Sequence, residues 1–121
     1  MKILVADDSK AMRMIVVRTL RQAGWAGHDI VEAENGREAL TMVGTESPDL
    51  ILSDWNMPEM TGIEFLKALR GQGSSIPFCF VTSEGSEEMR SLASQAGALG
   101  LIAKPFTAEL FMETLGSVVS A

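Results

Sequence analysis

One cysteine, Cys79, stands in a chain of 121 residues. No internal disulfide can form, which fits a reducing, cytoplasmic setting. Cys79 lies within Phe78-Cys79-Phe80-Val81 and reads as a small buried core residue. Basic residues are also few: 10 against 16 acidic, for a net charge of −6, with no Lys/Arg cluster. Without a basic face to neutralise phosphates, nucleic-acid binding is not expected. No apolar stretch approaches the ~18 residues that a membrane span needs. Met1-Lys2 runs through a short apolar stretch straight into Asp7-Asp8, so no signal peptide is expected. Linkers, internal repeats and low-complexity segments are missing, and one domain over 1–121 is expected. The only histidine, His28, reads as a loop residue rather than a ligand, and the eight methionines read as core filling.

What the chain does have is order. Five short apolar runs recur: Ile3–Ala6, Ile30–Ala33, Leu50–Ser53, Phe78–Val81 and Leu99–Ala103. Most are continuous rather than alternating, as parallel strands covered on both faces are. Glu32 makes the second run alternate, which suits an edge strand. Helical spacing fills the gaps. Met12, Ile15, Val16 and Leu20 mark the first helix, ended by Gly24, and Asn35 caps a second before Ala39, Leu40 and Val43. Gly62, Phe65, Leu66 and Leu69 face inward on the third. Met89, Leu92, Ala93 and Ala96 form the fourth stripe, closed by Gly97. Thr107 caps a last helix expected to run to Ala121, with Phe111, Leu115 and Val118 along one side. Five βα units in this length leave only short loops. Right-handed crossovers then give an α/β fold, a parallel sheet with helices on both faces. The most flexible-looking loop, Gly71-Gln72-Gly73-Ser74-Ser75, falls on the edge away from the strand ends that carry acids.

Those strand ends are where chemistry collects. The first run ends in Asp7-Asp8, the third in Asp54, the fourth in Thr82-Ser83 and the fifth in Lys104. Parallel sheets bind ligands beyond the carboxyl ends of their strands. Three carboxylates delivered there repel one another unless a cation joins them. Mg²⁺ takes oxygen ligands in octahedral geometry, commonly one or two carboxylates plus waters. Asp8 and Asp54 suit direct binding, with Asp7 acting through water. An aspartate can also be a nucleophile that forms an aspartyl phosphate. Mg²⁺ would screen its charge from the incoming group. Thr82 offers a hydroxyl donor and Lys104 a compact positive charge to phosphoryl oxygens. Taken singly these residues are unremarkable: Asp8 a helix-cap neighbour of Ser9, Thr82 a strand end, Lys104 a surface lysine, Asp54 a turn residue. Their joint placement in strand order carries the reading.

With these groups in place, the sequence resembles the receiver domains of two-component response regulators over essentially its whole length. Val5-Ala6-Asp7-Asp8-Ser9, Ser53-Asp54-Trp55-Asn56-Met57-Pro58, Val81-Thr82-Ser83 and Lys104-Pro105-Phe106 stand in family order and spacing. Ser53–Pro58, Met60, Gly62 and Gln95-Ala96-Gly97-Ala98 are most similar to the stand-alone chemotaxis receivers, the CheY type. The resemblance implies a flavodoxin-like, CheY-like five-stranded sheet of order 2-1-3-4-5. It implies that Asp54 accepts a phosphoryl group from a histidine kinase. Mg²⁺ would be held by Asp7, Asp8, Asp54 and the backbone carbonyl of Asn56, directly or through water, and Thr82 and Lys104 would contact the phosphoryl group. Asn56 and Glu84 would tune its lifetime. A cis peptide is implied between Lys104 and Pro105. Such a protein is a phosphoacceptor that assists its own phosphorylation and dephosphorylation rather than an enzyme. Its implied partners are the kinase, a downstream protein docked on the fourth helix, fifth strand and fifth helix, and a possible phosphatase.

One position departs from the family. Three residues before Lys104, where an aromatic ring often rotates inward on activation, stands Leu101, so the threonine–aromatic switch cannot operate as such. The last helix carries Glu109 and Glu113 with no base, and Glu87 and Glu88 stand on the fourth, partly offset by Arg90. This face reads either as a solvated acidic surface or as a seat for a partner other than a flagellar motor switch. Other functions stay open: a phosphorelay or other receiver, including one cut from a longer regulator, or an aspartyl-nucleophile phosphohydrolase dependent on Mg²⁺. The hydrolase would need a leaving-group acid and a substrate pocket, and the short loops supply no cap over one.

Overall fold

In a computed structural model that describes residues 1–119, strands and helices alternate without exception. The strands are β1 (Lys2–Ala6), β2 (Asp29–Ala33), β3 (Leu50–Ser53), β4 (Phe78–Thr82) and β5 (Gly100–Ala103). The helices are α1 (Lys10–Gln22), α2 (Gly36–Glu46), α3 (Gly62–Gly71), α4 (Glu87–Gln95) and α5 (Ala108–Leu115). All strand pairings are parallel and the order is β2-β1-β3-β4-β5. The expected fold class and strand order are therefore present.

Strand side chains alternate between faces, and that alternation divides the core in two. Ile3, Val5, Leu50, Leu52, Cys79, Val81 and Ile102 pack with Val16 and Leu20 of α1 and with Phe111 and Leu115 of α5. On the other face, Leu4, Ala6, Ile51, Phe78, Phe80 and Leu101 meet Ala39 of α2, Phe65, Leu66 and Leu69 of α3 and Ala93 of α4. The central strands β1, β3 and β4 are buried nearly throughout, while β2 is half exposed as an edge should be. Cys79 is fully buried, and burial pushes its thiol up to about 12, so it is an inert core residue.

Each helix starts on a side-chain cap. Ser9, Asn35, Thr61, Ser86 and Thr107 accept from the backbone N–H three residues on, and Thr61 forms a reciprocal capping box with Glu64. Gly24 and Gly97 follow their helices with φ of +93° and +97°, a region glycine enters without cost.

Three expectations need correction. Ile15 and Leu92 are 44% and 43% exposed, so neither belongs to a core stripe. The buried face of α1 runs through Arg13, Val16, Thr19 and Leu20 instead, and α4 buries only Ala93 outright. Leu99 precedes β5 and is exposed. The last helix stops at Leu115 and passes into a turn after Gly116 rather than reaching Ala121. Ser120 and Ala121, to which the expected helix and single domain extended, lie outside the described residues. No helix among the described residues is long and apolar enough to cross a membrane.

Candidate phosphoryl-acceptor site

The sheet itself places the polar residues. Ladder-type hydrogen bonding continues one residue past three strands. The Asp7 N–H donates to the Ala33 carbonyl at 3.1 Å, that of Asp54 to Ala6 at 2.9 Å and that of Lys104 to Thr82 at 2.9 Å. Backbones of Asp7, Asp54 and Lys104 are thereby held to neighbouring strands, while Thr82 is the last, fully buried residue of β4. In register, Ala6 faces Ser53 and Thr82 faces Ala103. Asp7 and Asp54 therefore emerge side by side, and Lys104 follows one residue past the partner of Thr82, to which its N–H is bonded.

Carboxylate oxygens of Asp7, Asp8 and Asp54 lie within 4.8 Å of one another. Asp7 is buried, Asp54 half-buried and Asp8 exposed. Asp7 accepts the Ser9 N–H at 2.9 Å, and Asp54 accepts the Trp55 N–H at 2.8 Å. Burial pushes the Asp7 carboxyl up to about 6. The Ser9 N–H opposes this, Asp54 adds to it, Lys104 opposes it and Asp8 adds to it. The Asp54 carboxyl is also raised, chiefly by burial, against the pull of the Trp55 N–H, Lys104 and the Thr82 hydroxyl, with Asp8 adding to the rise. Buried acids that resist ionisation this way, converging on one point with an all-oxygen donor set, fit a hard divalent cation such as Mg²⁺.

The expected residues fall around this point as follows. Lys104 and Thr82 both act on Asp54 electrostatically or by hydrogen bonding. Asn56 and Glu84 are exposed on the loops that follow Asp54 and Thr82, and the Glu84 N–H reaches the Thr82 Oγ1 at 3.5 Å. The Lys104–Pro105 peptide is cis. Trp55 is half-buried, its ring centroid 4.7 Å from that of Phe80. Leu101 is buried at 7% exposure, and Arg90 of α4 donates to its carbonyl at 2.9 Å. Gly62 permits the loop after β3 to close: a methyl there would run into the Asp54 carbonyl and stand 2.9 Å from the Phe80 ring. The Gly62 N–H donates to the Trp55 carbonyl at 2.8 Å.

The residue that sequence reasoning missed is Arg13. Its guanidinium is buried, with Nη1 on the Asp7 carbonyl at 2.7 Å and Nε on Glu32 at 2.8 Å. A signal was present: Arg13 lies three residues before Val16 and seven before Leu20, on the apolar stripe. A charge there demands a partner.

A family model for the response regulator receiver domain matches residues 3–116. The chain is 38% identical over 120 residues to the chemotaxis protein CheY of Pseudomonas aeruginosa, covering 98% of this chain and 95% of that one. It is 39% identical over 122 residues to a CheY homolog of Campylobacter jejuni, covering 98% and 92%. Among solved structures, Vibrio cholerae chemotaxis protein CheY4 superposes with a TM-score of 0.84 at 40% identity, covering 98% of each chain.

Proposed function

The chain belongs to the response regulator receiver family, in its CheY-like chemotaxis branch, and from that premise we propose that Asp54 accepts a phosphoryl group from a histidine kinase. Receivers of this kind are regulators rather than enzymes with a turned-over substrate. The observation that carries the reading is the convergence of Asp7, Asp8 and Asp54 within 4.8 Å, with Lys104 and Thr82 acting on Asp54. Residues 1–121 act as one receiver unit in the cytoplasm, in a chemotaxis pathway like those of the relatives.

An oxygen of Asp54 attacks phosphorus, the P–N bond of the donor phosphohistidine breaks, and the imidazole keeps the electron pair. Asp7, Asp8, Asp54 and the Asn56 carbonyl would hold Mg²⁺, directly or through water, and the ion would supply positive charge that offsets the repulsion of carboxylate and phosphoryl group. Lys104 and Thr82 bind phosphoryl oxygens. As the Thr82 hydroxyl turns toward them it gives up the Glu84 N–H, and the loop into α4 is released from β4. That links the site to the α4–β5–α5 surface, where a downstream protein docks. Leu101 leaves no ring to rotate, so the link runs through this loop.

Dephosphorylation is water attack on the same phosphorus, with Asp54 leaving. Asn56 and Glu84 stand exposed on the two loops flanking the acceptor and control that approach. Incubation with acetyl phosphate and Mg²⁺ is expected to add one phosphoryl group by intact mass, and EDTA is expected to prevent it. Asn56→Ala and Glu84→Ala are expected to accept the group but lose it at altered rates. Rates equal to wild type in both would remove these residues from the mechanism. Labelling of Asp54→Asn equal to wild type would remove Asp54.

A further inference from the structure

Asp7 and Arg13 are the charged residues buried among the described residues, and they meet. A guanidinium taken out of water is costly unless its donors are used. Arg13 uses them on two elements at once. Nη1 donates to the Asp7 carbonyl at 2.7 Å, Nε donates to Glu32 of β2 at 2.8 Å, and Nη2 lies 3.9 Å from Glu34. The Asp7 carbonyl belongs to the peptide that joins Asp7 to Asp8. On the other side of Asp7, its N–H is held by the Ala33 carbonyl. Its carboxylate is held by the Ser9 N–H. The plane of the Asp7–Asp8 peptide, and with it the direction in which Asp8 leaves the chain, is therefore anchored by one side chain from α1.

We propose that Arg13 is a positioning residue for the cation site: it fixes the Asp7–Asp8 peptide so that both carboxylates present the angles Mg²⁺ requires. This rests on the reading of Asp7, Asp8 and Asp54 as that site. Glu32 holds the guanidinium in place from the edge strand. Positioning and charge predict opposite signs. A positive group near a cation site repels the cation, so removing it should tighten binding if charge were all that mattered. If Arg13 orients the acids, removing it should weaken binding, and outer-shell groups of this kind typically contribute 10–100-fold in metal affinity. Mg²⁺ demands near-octahedral geometry, whereas Ca²⁺ accepts a flexible one. The loss should therefore fall mainly on Mg²⁺.

The test is titration of wild type, Arg13→Lys and Arg13→Met with Mg²⁺ and separately with Ca²⁺. Trp55 fluorescence is followed at constant ionic strength, with circular dichroism in EDTA to establish folding. Arg13→Met is expected to raise the Mg²⁺ dissociation constant about tenfold or more. Arg13→Lys, which keeps the charge but not the fork, should show a smaller loss and carries the test if the methionine variant does not fold. The Ca²⁺ constant should move less in both. Unchanged or tighter Mg²⁺ binding in a folded variant overturns the proposal, as does an equal loss for both ions, which would indicate general loosening. Absence of any Mg²⁺ response in wild type would instead overturn the reading of the cation site itself.

Discussion

Asp7→Asn is expected to stabilise the metal-free protein at pH 7 by about 1–3 kcal/mol while removing most of its Mg²⁺ affinity. The Asp7 carboxyl is pushed from 3.8 up to about 6, first by burial and then by Asp54 and Asp8, against the Ser9 N–H and Lys104. With the folded value above the unfolded one, the unfolded chain gives up its proton first as pH rises. The contribution to stability is thus fully present below about pH 4, lost between about pH 4 and 6, and gone above that. Two pH units correspond to roughly 3 kcal/mol at most, and partial solvation lowers this. Asparagine keeps an oxygen for the Ser9 N–H but has no charge to bury. Urea denaturation in EDTA from about pH 4 to pH 7 should show wild type losing stability that the variant retains. Mg²⁺ should then restore it in wild type alone, by about 2.7 kcal/mol at one hundred times its dissociation constant. A variant less stable than wild type at pH 7 would mean that burying the Asp7 charge carries no net penalty in the fold.

Gly62→Ala is expected to cost about 2–3 kcal/mol, with loss of the response to phosphoryl donors as well. The added methyl would meet the Asp54 carbonyl, the Phe80 ring edge at 2.9 Å and the Asp54 carbonyl carbon at 3.1 Å. None of these can retreat freely. The Asp54 carbonyl accepts the Ser53 hydroxyl at 2.9 Å, and Phe80 is fully buried against Phe78 and Trp55. The strain is relieved by moving the loop that carries Asp54, so the response to phosphoryl donors and stability should fail together. Gly44 is the control. It lies within α2, where an added methyl would meet nothing within 4 Å, and Gly44→Ala should gain about 0.5–1 kcal/mol through helix propensity. Equal stability of the two alanine variants by thermal denaturation would contradict the close approach at Gly62.

The placement of the polar cluster was legible because it depends on strand order. An apolar run ending in a charged residue marks a strand end, and parallel pairing gathers all such ends on one edge. Nothing about Asp7, Asp54, Thr82 or Lys104 needed side-chain detail to be placed. Helix faces were less legible. Ile15 has the spacing of a core residue, but α1 turns Arg13 and Thr19 inward and leaves Ile15 44% exposed. Leu92 fits the stripe of α4, yet that helix sits so lightly on the sheet that Ala93 alone is fully covered. Periodicity gives a set of neighbouring residues on a helix, and tertiary packing decides which of them face in. The place of Arg13 on the apolar stripe signals that its charge needs a partner, but not which one. Its partners are the Asp7 carbonyl, six residues back on the chain, and Glu32 of β2, nineteen residues on. Spacing calls for a partner, and only the fold identifies which groups supply it.

The most direct measurement is Trp55 fluorescence during titration with Mg²⁺ and then with beryllium fluoride, which mimics the aspartyl phosphoryl group. Trp55 adjoins Asp54 and stacks near Phe80, whereas Trp25 is buried in the other half of the core and serves as constant background. A saturable response to Mg²⁺, followed by a second response to beryllium fluoride that Asp54→Asn lacks, is the predicted result. A beryllium-fluoride response of equal size in Asp54→Asn, or no response to either addition, would contradict Asp54 as the phosphoryl acceptor.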